Sequence, residues 1–139
     1  MIRKTLTALV VGGTLLVSTA SFAATTSPAD CVLRQYHVTS VTPYHSERQA
    51  GQAGVIRDLV GASVYVQAEP GLTAEWLRLN LDRHRTEMGA AATMKDCPFA
   101  VDDVQLDVES SGAGFYVTFL APNPAKAEEV LRRTRLLLV

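Results

Sequence analysis

The chain lacks any run of about 20 apolar residues, the length that a membrane-spanning helix requires. Its longest apolar stretch, residues 6–17, is shorter, follows the positive charges of Arg3 and Lys4, and precedes the small residues of the segment 21–23. This arrangement is typical of a cleavable signal peptide. We expect a signal peptide over residues 1–23, a flexible leader over residues 24–30, and a periplasmic or secreted product with no membrane attachment after cleavage.

The chain also lacks a charge excess. It carries 13 basic and 14 acidic residues, and cleavage would remove Arg3 and Lys4 to leave 11 against 14. Nucleic-acid-binding proteins usually present a clustered basic surface. Here the arginines alternate with acids or lie near predicted helix ends, so we expect no nucleic-acid partner.

Cysteine is scarce, with Cys31 and Cys97 as the only two in the chain. Their spacing excludes a Cys-x-x-Cys redox turn. Two cysteines in an exported protein usually pair, so we predict a Cys31–Cys97 disulfide. A crosslink across 66 positions stabilises a fold by up to about 4 kcal/mol in the chain-entropy model.

The sequence shows no local pattern of a catalytic site. No serine lies in a Gly-x-Ser-x-Gly elbow, and no nucleophile is placed beside an evident base. The glycine-rich residues 111–114 suit a hairpin turn better than a phosphate-binding loop, because a strand pattern and not a helix follows them. We therefore expect a protein that is not an enzyme and holds no cofactor.

Alternating apolar and polar residues predict the strands. One strand is expected over residues 32–42, where Pro43 would end it, and a clearer one over residues 60–69. The polar, glycine-containing residues 44–54 between them predict a surface loop.

A hairpin is predicted from the alternation of residues 104–109 and 115–119. Apolar residues at helical spacing predict a helix over residues 74–88 with Thr73 as its N-cap, and a second helix that begins after the N-cap Asn123. One-sided strands and two amphipathic helices favour an α+β fold over residues 31–139. We predict a two-layer sandwich, in which two helices pack on one face of a mainly antiparallel sheet of three or four strands.

Soft side chains near the end of the first helix form a candidate metal site. His84 and Met88 lie one helical turn apart, with Met94 and Cys97 downstream. Such donors suit copper, and zinc is the other candidate. In the alternative interpretation Met88 is a core residue and His84 lies at the polar edge of the apolar stripe of the helix. The predicted disulfide would also use the Cys97 sulfur that a metal would need.

Two further clusters are weaker candidates. His37 and His45 each follow a tyrosine and would add metal ligands or a proton-handling pair if the chain brought them together. An acidic row would bind calcium or a cationic partner, although it lacks the spacing of a calcium loop. The row comprises Asp102, Asp103, Asp107 and Glu109.

Together these features indicate a small exported, non-catalytic protein that acts by binding or protein–protein interaction. Leu72, Trp76 and Leu79 fall away from the inner stripe of the first helix and predict an interaction patch. The occupant would be an unknown protein partner or a second copy of the chain. The alternative function is a periplasmic metal-binding protein for copper or zinc.

Overall fold

The computed structural model of the protein describes residues 30–88 and 94–138. The predicted signal peptide and the leader up to residue 29 lie outside the described residues. The described chain forms one four-stranded antiparallel sheet, in the order β1-β2-β4-β3, and two α-helices. The strands are β1 Val38–Gln49, β2 Val55–Gln67, β3 Gln105–Ser111 and β4 Gly114–Leu120, and the helices are α1 Ala74–Met88 and α2 Pro124–Arg135.

The two central strands supply the sheet's contribution to the core. Alternate residues of β2 and β4 are buried, and the helices cover this same face. The core includes Ala62, Val64, Val66, Phe115, Val117 and Phe119 from the strands, with Leu77, Leu81, Val130 and Leu131 from the helices. The predicted α+β fold is confirmed, with four strands.

The helices begin where the sequence predicted. The backbone N–H of Trp76 donates to Thr73 Oγ1 over 3.1 Å, and the backbone N–H of Lys126 donates to Asn123 Oδ1 over 2.9 Å. Each cap satisfies an amide that would otherwise have no partner within the helix. These bonds fix the first turns of α1 and α2, and therefore the position of Trp76.

The face of the sheet opposite the helices carries aromatic and polar side chains. The rings of Tyr65 and Tyr116 meet edge to face at 4.9 Å, and the Tyr65 hydroxyl donates to the Ser111 carbonyl over 3.1 Å. Gly114 leaves room for Tyr65, because a side chain at this position would overlap the tyrosine ring and the Val66 carbonyl. The β3–β4 hairpin is confirmed.

The structure corrects the prediction for the N-terminal strand. Residues Val32–Gln35 form a 3-10 helix, and β1 begins only at Val38. Pro43 does not end the strand, because β1 lies at the edge of the sheet. Proline has no N–H to donate, and on the open side of an edge strand no hydrogen bond is lost.

The predicted loop over residues 44–54 is also wrong. Residues 45–49 pair with residues 55–59 and extend the β1–β2 hairpin beyond the rest of the sheet. We call this paired extension the distal ribbon. Ion pairs link its strands: Arg57 Nε to Glu47 Oε1 and Arg48 Nε to Asp58 Oδ2, both at 2.8 Å.

Within residues 30–88 and 94–138, none of the helices combines the length and apolar character needed to cross a membrane.

Candidate functional site

The predicted disulfide is present and joins two short helical turns. Cys31 directly precedes the 3-10 helix Val32–Gln35, and Cys97 directly precedes the 3-10 helix Pro98–Ala100. Their Cα atoms are 5.3 Å apart, and the two residues are 5% and 1% exposed. The bond therefore ties the beginning of the described chain to the segment that precedes β3.

His84 lies beside this disulfide on the inner side of α1. Its Nε2 is 3.7 Å from Cys97 Sγ, and its ring meets Phe99 edge to face at a centroid distance of 5.5 Å. Burial lowers the pKa of His84, because a charged imidazolium loses hydration there. The half-buried ring therefore favours the neutral form, in which one nitrogen keeps a free lone pair.

Cys31, Cys97 and His84 form the one triad of metal-ligand side chains found among residues 30–88 and 94–138. Their donor atoms all lie within 4.8 Å of one another. A cavity of about 320 Å³ adjoins the two cysteines. Its other lining residues are Asp30, Arg34, Met94, Lys95 and Asp96.

The remaining predicted metal ligands lie elsewhere. Met88 is buried and lines a separate cavity of about 230 Å³ with Phe99 and Val104. His37 immediately precedes β1 and His45 lies in the distal ribbon, both exposed. Extended chain rises about 3.3 Å per residue, so these two histidines are roughly 25 Å apart and do not meet.

Helix α2 holds the Cys97 segment in place. The guanidinium of Arg133 donates from Nη1 to the Cys97 carbonyl over 3.2 Å, and Glu129 accepts hydrogen bonds from Arg132 and Arg133. These hydrogen bonds lower the pKa of Glu129 to about 2. Glu129 thus orients Arg133, which in turn anchors the backbone at the disulfide.

The predicted interaction patch lies at the start of α1. Trp76 is 52% exposed and Leu79 is 63% exposed, whereas Leu72 is half-buried and packs against the core. Tyr36, Leu72 and Trp76 line a shallow cavity of about 240 Å³ with residues 69–71. Burial of the Tyr36 phenol raises its pKa, because a charged phenolate would lose hydration there.

The acidic row is divided between two places. Asp103 lies in a turn, where it pairs with Lys126 Nζ at 3.2 Å, and the same ammonium group donates to the Asp102 carbonyl over 3.1 Å. Asp107 and Glu109 are exposed on alternate positions of β3.

The chain matches no family model, and neither a curated protein nor a solved structure is detectably similar to it.

Sequence reasoning placed His84 near Cys97 but missed the rest of the cluster. The predicted disulfide was the available signal, because a bond from Cys97 to Cys31 necessarily brings Cys31 to His84 as well. Tyr36 was assigned to a strand and gave no signal that it lies beside Trp76. Arg133 was one of the arginines near a predicted helix end, and its contact with Cys97 depends on tertiary packing alone.

Proposed function

We propose that this is an exported, non-catalytic binding protein, which contacts a protein partner or a second copy through the start of α1. The contact surface consists of Trp76, Leu79, Leu72 and Tyr36, and we call it the α1 surface. The observation that carries the proposal is the exposure of a tryptophan and a leucine on one ordered helix, beside a shallow cavity.

Trp76 has the properties of an interface anchor. It lies in the first turn of α1, where the hydrogen bond from its backbone N–H to Thr73 Oγ1 already holds the backbone. Binding would therefore restrict only the side chain, which keeps its entropy cost low. Its indole offers a large apolar area and one N–H donor, a combination enriched at binding hot spots. Leu79 extends the apolar area along the helix, and Tyr36 and Leu72 form the floor beside it.

Two features support export. The disulfide fits an oxidising compartment, because cytosolic reductants keep pairs of cysteines reduced. The residue pattern of positions 1–23 is that of a signal peptide.

Mass spectrometry of the protein recovered from its source would test export directly. A chain that starts at Ala24 and lacks two hydrogens supports export, and a reduced chain that retains residues 1–23 contradicts it.

The contact proposal is tested with a double variant, Trp76→Ser with Leu79→Ser. Cross-linking in the source cells and sedimentation of the purified protein report contact with a partner and self-association. Val55→Ser is the matched control, because Val55 is 53% exposed but lies in the distal ribbon. Wild type and control should give the same associated species, and the double variant should lose it.

The fold of each variant is checked by circular dichroism and urea unfolding. Associated species that persist in a folded double variant would contradict the proposal. A double variant that unfolds would show instead that Trp76 belongs to the core, which also contradicts it.

A further inference from the structure

Three soft donor groups converge from three separate segments of the chain. Cys31 comes from the turn before β1, His84 from the inner face of α1, and Cys97 from the segment before β3. The disulfide holds the two sulfurs together, and His84 Nε2 lies 3.7 Å from the nearer one. Zinc lies about 2.3 Å from a thiolate and 2.0–2.1 Å from an imidazole nitrogen, so two such ligands of one tetrahedral ion are about 3.6 Å apart. The 3.7 Å between His84 Nε2 and Cys97 Sγ fits this spacing, and Cys31 Sγ lies within 4.8 Å of both.

The surroundings leave room for an ion and a further ligand. The cavity beside the two cysteines, of about 320 Å³, also touches Met94 and Asp96, which offer a thioether and a carboxylate. Phe99 fixes the His84 ring by its edge-to-face contact, and Arg133 fixes the Cys97 backbone. Two of the three donors are therefore held by contacts that do not depend on the disulfide.

We propose that reduction converts the disulfide and His84 into a metal site for a thiophilic d10 cation, either Zn²⁺ or Cu⁺. A dithiol reductant gives two electrons and two protons to the sulfur–sulfur bond, which breaks to leave two thiols while the reductant forms its own disulfide. The cation then displaces one proton from each thiol and binds two thiolates and the His84 imidazole.

The choice of cation class follows from the donors. Thiolates are soft ligands that select Cu⁺ and Zn²⁺ over Mg²⁺ or Ca²⁺, and neutral imidazole suits the same two ions. Zinc also accepts three protein ligands with a fourth position left open.

Disulfide and metal would be alternative crosslinks between the same two segments. In each state Cys31 is tied to Cys97, so the metal would retain a crosslink between these two segments when the sulfurs are reduced. This inference is independent of the α1 surface, because it involves none of that surface's residues.

The test is a titration of the purified mature chain with Zn²⁺ in competition with a chromophoric chelator, without oxygen. One sample is reduced with a phosphine that is then removed, and the other stays oxidised. The reduced protein should bind one Zn²⁺ per chain, and the oxidised protein should bind at least 100-fold more weakly. His84→Ala should weaken binding to the reduced protein at least tenfold, whereas the exposed-histidine controls His37→Ala and His45→Ala should leave it unchanged.

Circular dichroism accompanies each titration. If the reduced chain loses its fold, added Zn²⁺ should restore the native spectrum in wild type and fail to do so in a Cys31→Ser variant. Equal Zn²⁺ affinity of His84→Ala and the two control histidine variants would overturn the site. A reduced wild-type chain that neither binds one Zn²⁺ nor refolds with it, and that binds no Cu⁺ in the same competition assay, would also overturn it.

Discussion

The two ends of the β1–β2 hairpin are held together in different ways. Near the centre of the sheet, β2 also pairs with β4, and its residues Ala62, Val64 and Val66 are fully buried under the helices. In the distal ribbon β2 pairs with β1 alone, the side chains of β1 are exposed and those of β2 are exposed or half-buried, and ion pairs cross between the strands. One strand therefore passes from a region stabilised by apolar burial to one stabilised by backbone pairing and weak surface contacts.

The junction between the two regions is a register shift. Tyr44 lies opposite Gly61, but His45 lies opposite Leu59, so Val60 has no partner on β1. The Val60 carbonyl instead accepts from the Ala121 N–H over 2.8 Å. Such a bulge bends the strand, and the ribbon leaves the sheet at that point.

Removal of a core ring should produce the largest difference between the two regions. Phe119→Ala should lower the free energy of unfolding by about 3–5 kcal/mol, because Phe119 is fully buried and packs edge to face on Phe99. Val55→Ala in the distal ribbon should cost less than about 0.5 kcal/mol. Urea unfolding measures both values, and similar losses would show that the ribbon shares the core's stabilisation.

A side chain at the junction should have the next largest effect. Gly61→Ala should cost about 3 kcal/mol, because the new Cβ would overlap the Phe119 carbonyl and two paired strands would have to separate. Gly51→Ala at the ribbon tip is the control: its φ of +61° is strained for alanine, but no atom lies within 4 Å, so the expected cost is about 1 kcal/mol. Thermal unfolding that ranks the two variants in the opposite order would contradict this account of the junction.

Acid should weaken the contact between α2 and the Cys97 segment. The folded-state pKa of Glu129 is about 2 against an unfolded value of 4.5, so its contribution is present above pH 4.5 and is lost as the pH falls towards 2. Because the side chain is 35% exposed, solvent screening limits this contribution to about 1 kcal/mol.

Glu129→Gln should therefore be less stable than wild type at pH 7, and the two should converge near pH 2. The control is Glu128→Gln, a change at an exposed neighbour on the same helix. Urea midpoints measured from pH 7 to pH 2 test this, and a constant difference between Glu129→Gln and wild type would rule out the titration of Glu129 as its cause.

The smallest effect is expected for the ion pairs of the ribbon. A double-mutant cycle on Glu47 and Arg57, with glutamine and methionine replacements, should give a coupling of about 0.2–1 kcal/mol, because both side chains are more than half exposed. The coupling should shrink in 1 M salt, where the screening length is about 3 Å. A coupling that is larger and insensitive to salt would mean that the ribbon is more rigid than its exposure indicates.

This contrast also explains what could be predicted from the sequence. Burial of one face imposes an alternation of apolar and polar residues on a strand. This alternation predicted the strand over residues 60–67 and the β3–β4 hairpin. The β1 half of the ribbon is polar and exposed, and Pro43 suggested that the strand ended before it, so the sequence of this half showed no alternation of apolar and polar residues. The bounds of helix α1 were predicted correctly, because its N-cap Thr73 and the helical spacing of its apolar residues indicate the same segment.

The candidate sites could be predicted only in part. Cysteine count and an expected oxidising compartment were enough for the Cys31–Cys97 bond, which the structure confirms. Helical spacing placed Trp76 and Leu79 away from the core, but it could not show that Leu72, which precedes the helix, folds back against it. The disulfide brings Cys31 to the neighbours of Cys97, but that His84 is one of them depends on the packing of α1 against the Cys97 segment, which no local pattern encodes.

Photo-cross-linking from the α1 surface tests the proposed function most directly. A photoreactive amino acid replaces Leu79 in one sample and Val55 in another, and each is illuminated in the source cells. We expect a discrete adduct of one mass from position 79 and none from position 55. No adduct from position 79, or the same adducts from both positions, would contradict the proposal that this protein acts through the α1 surface.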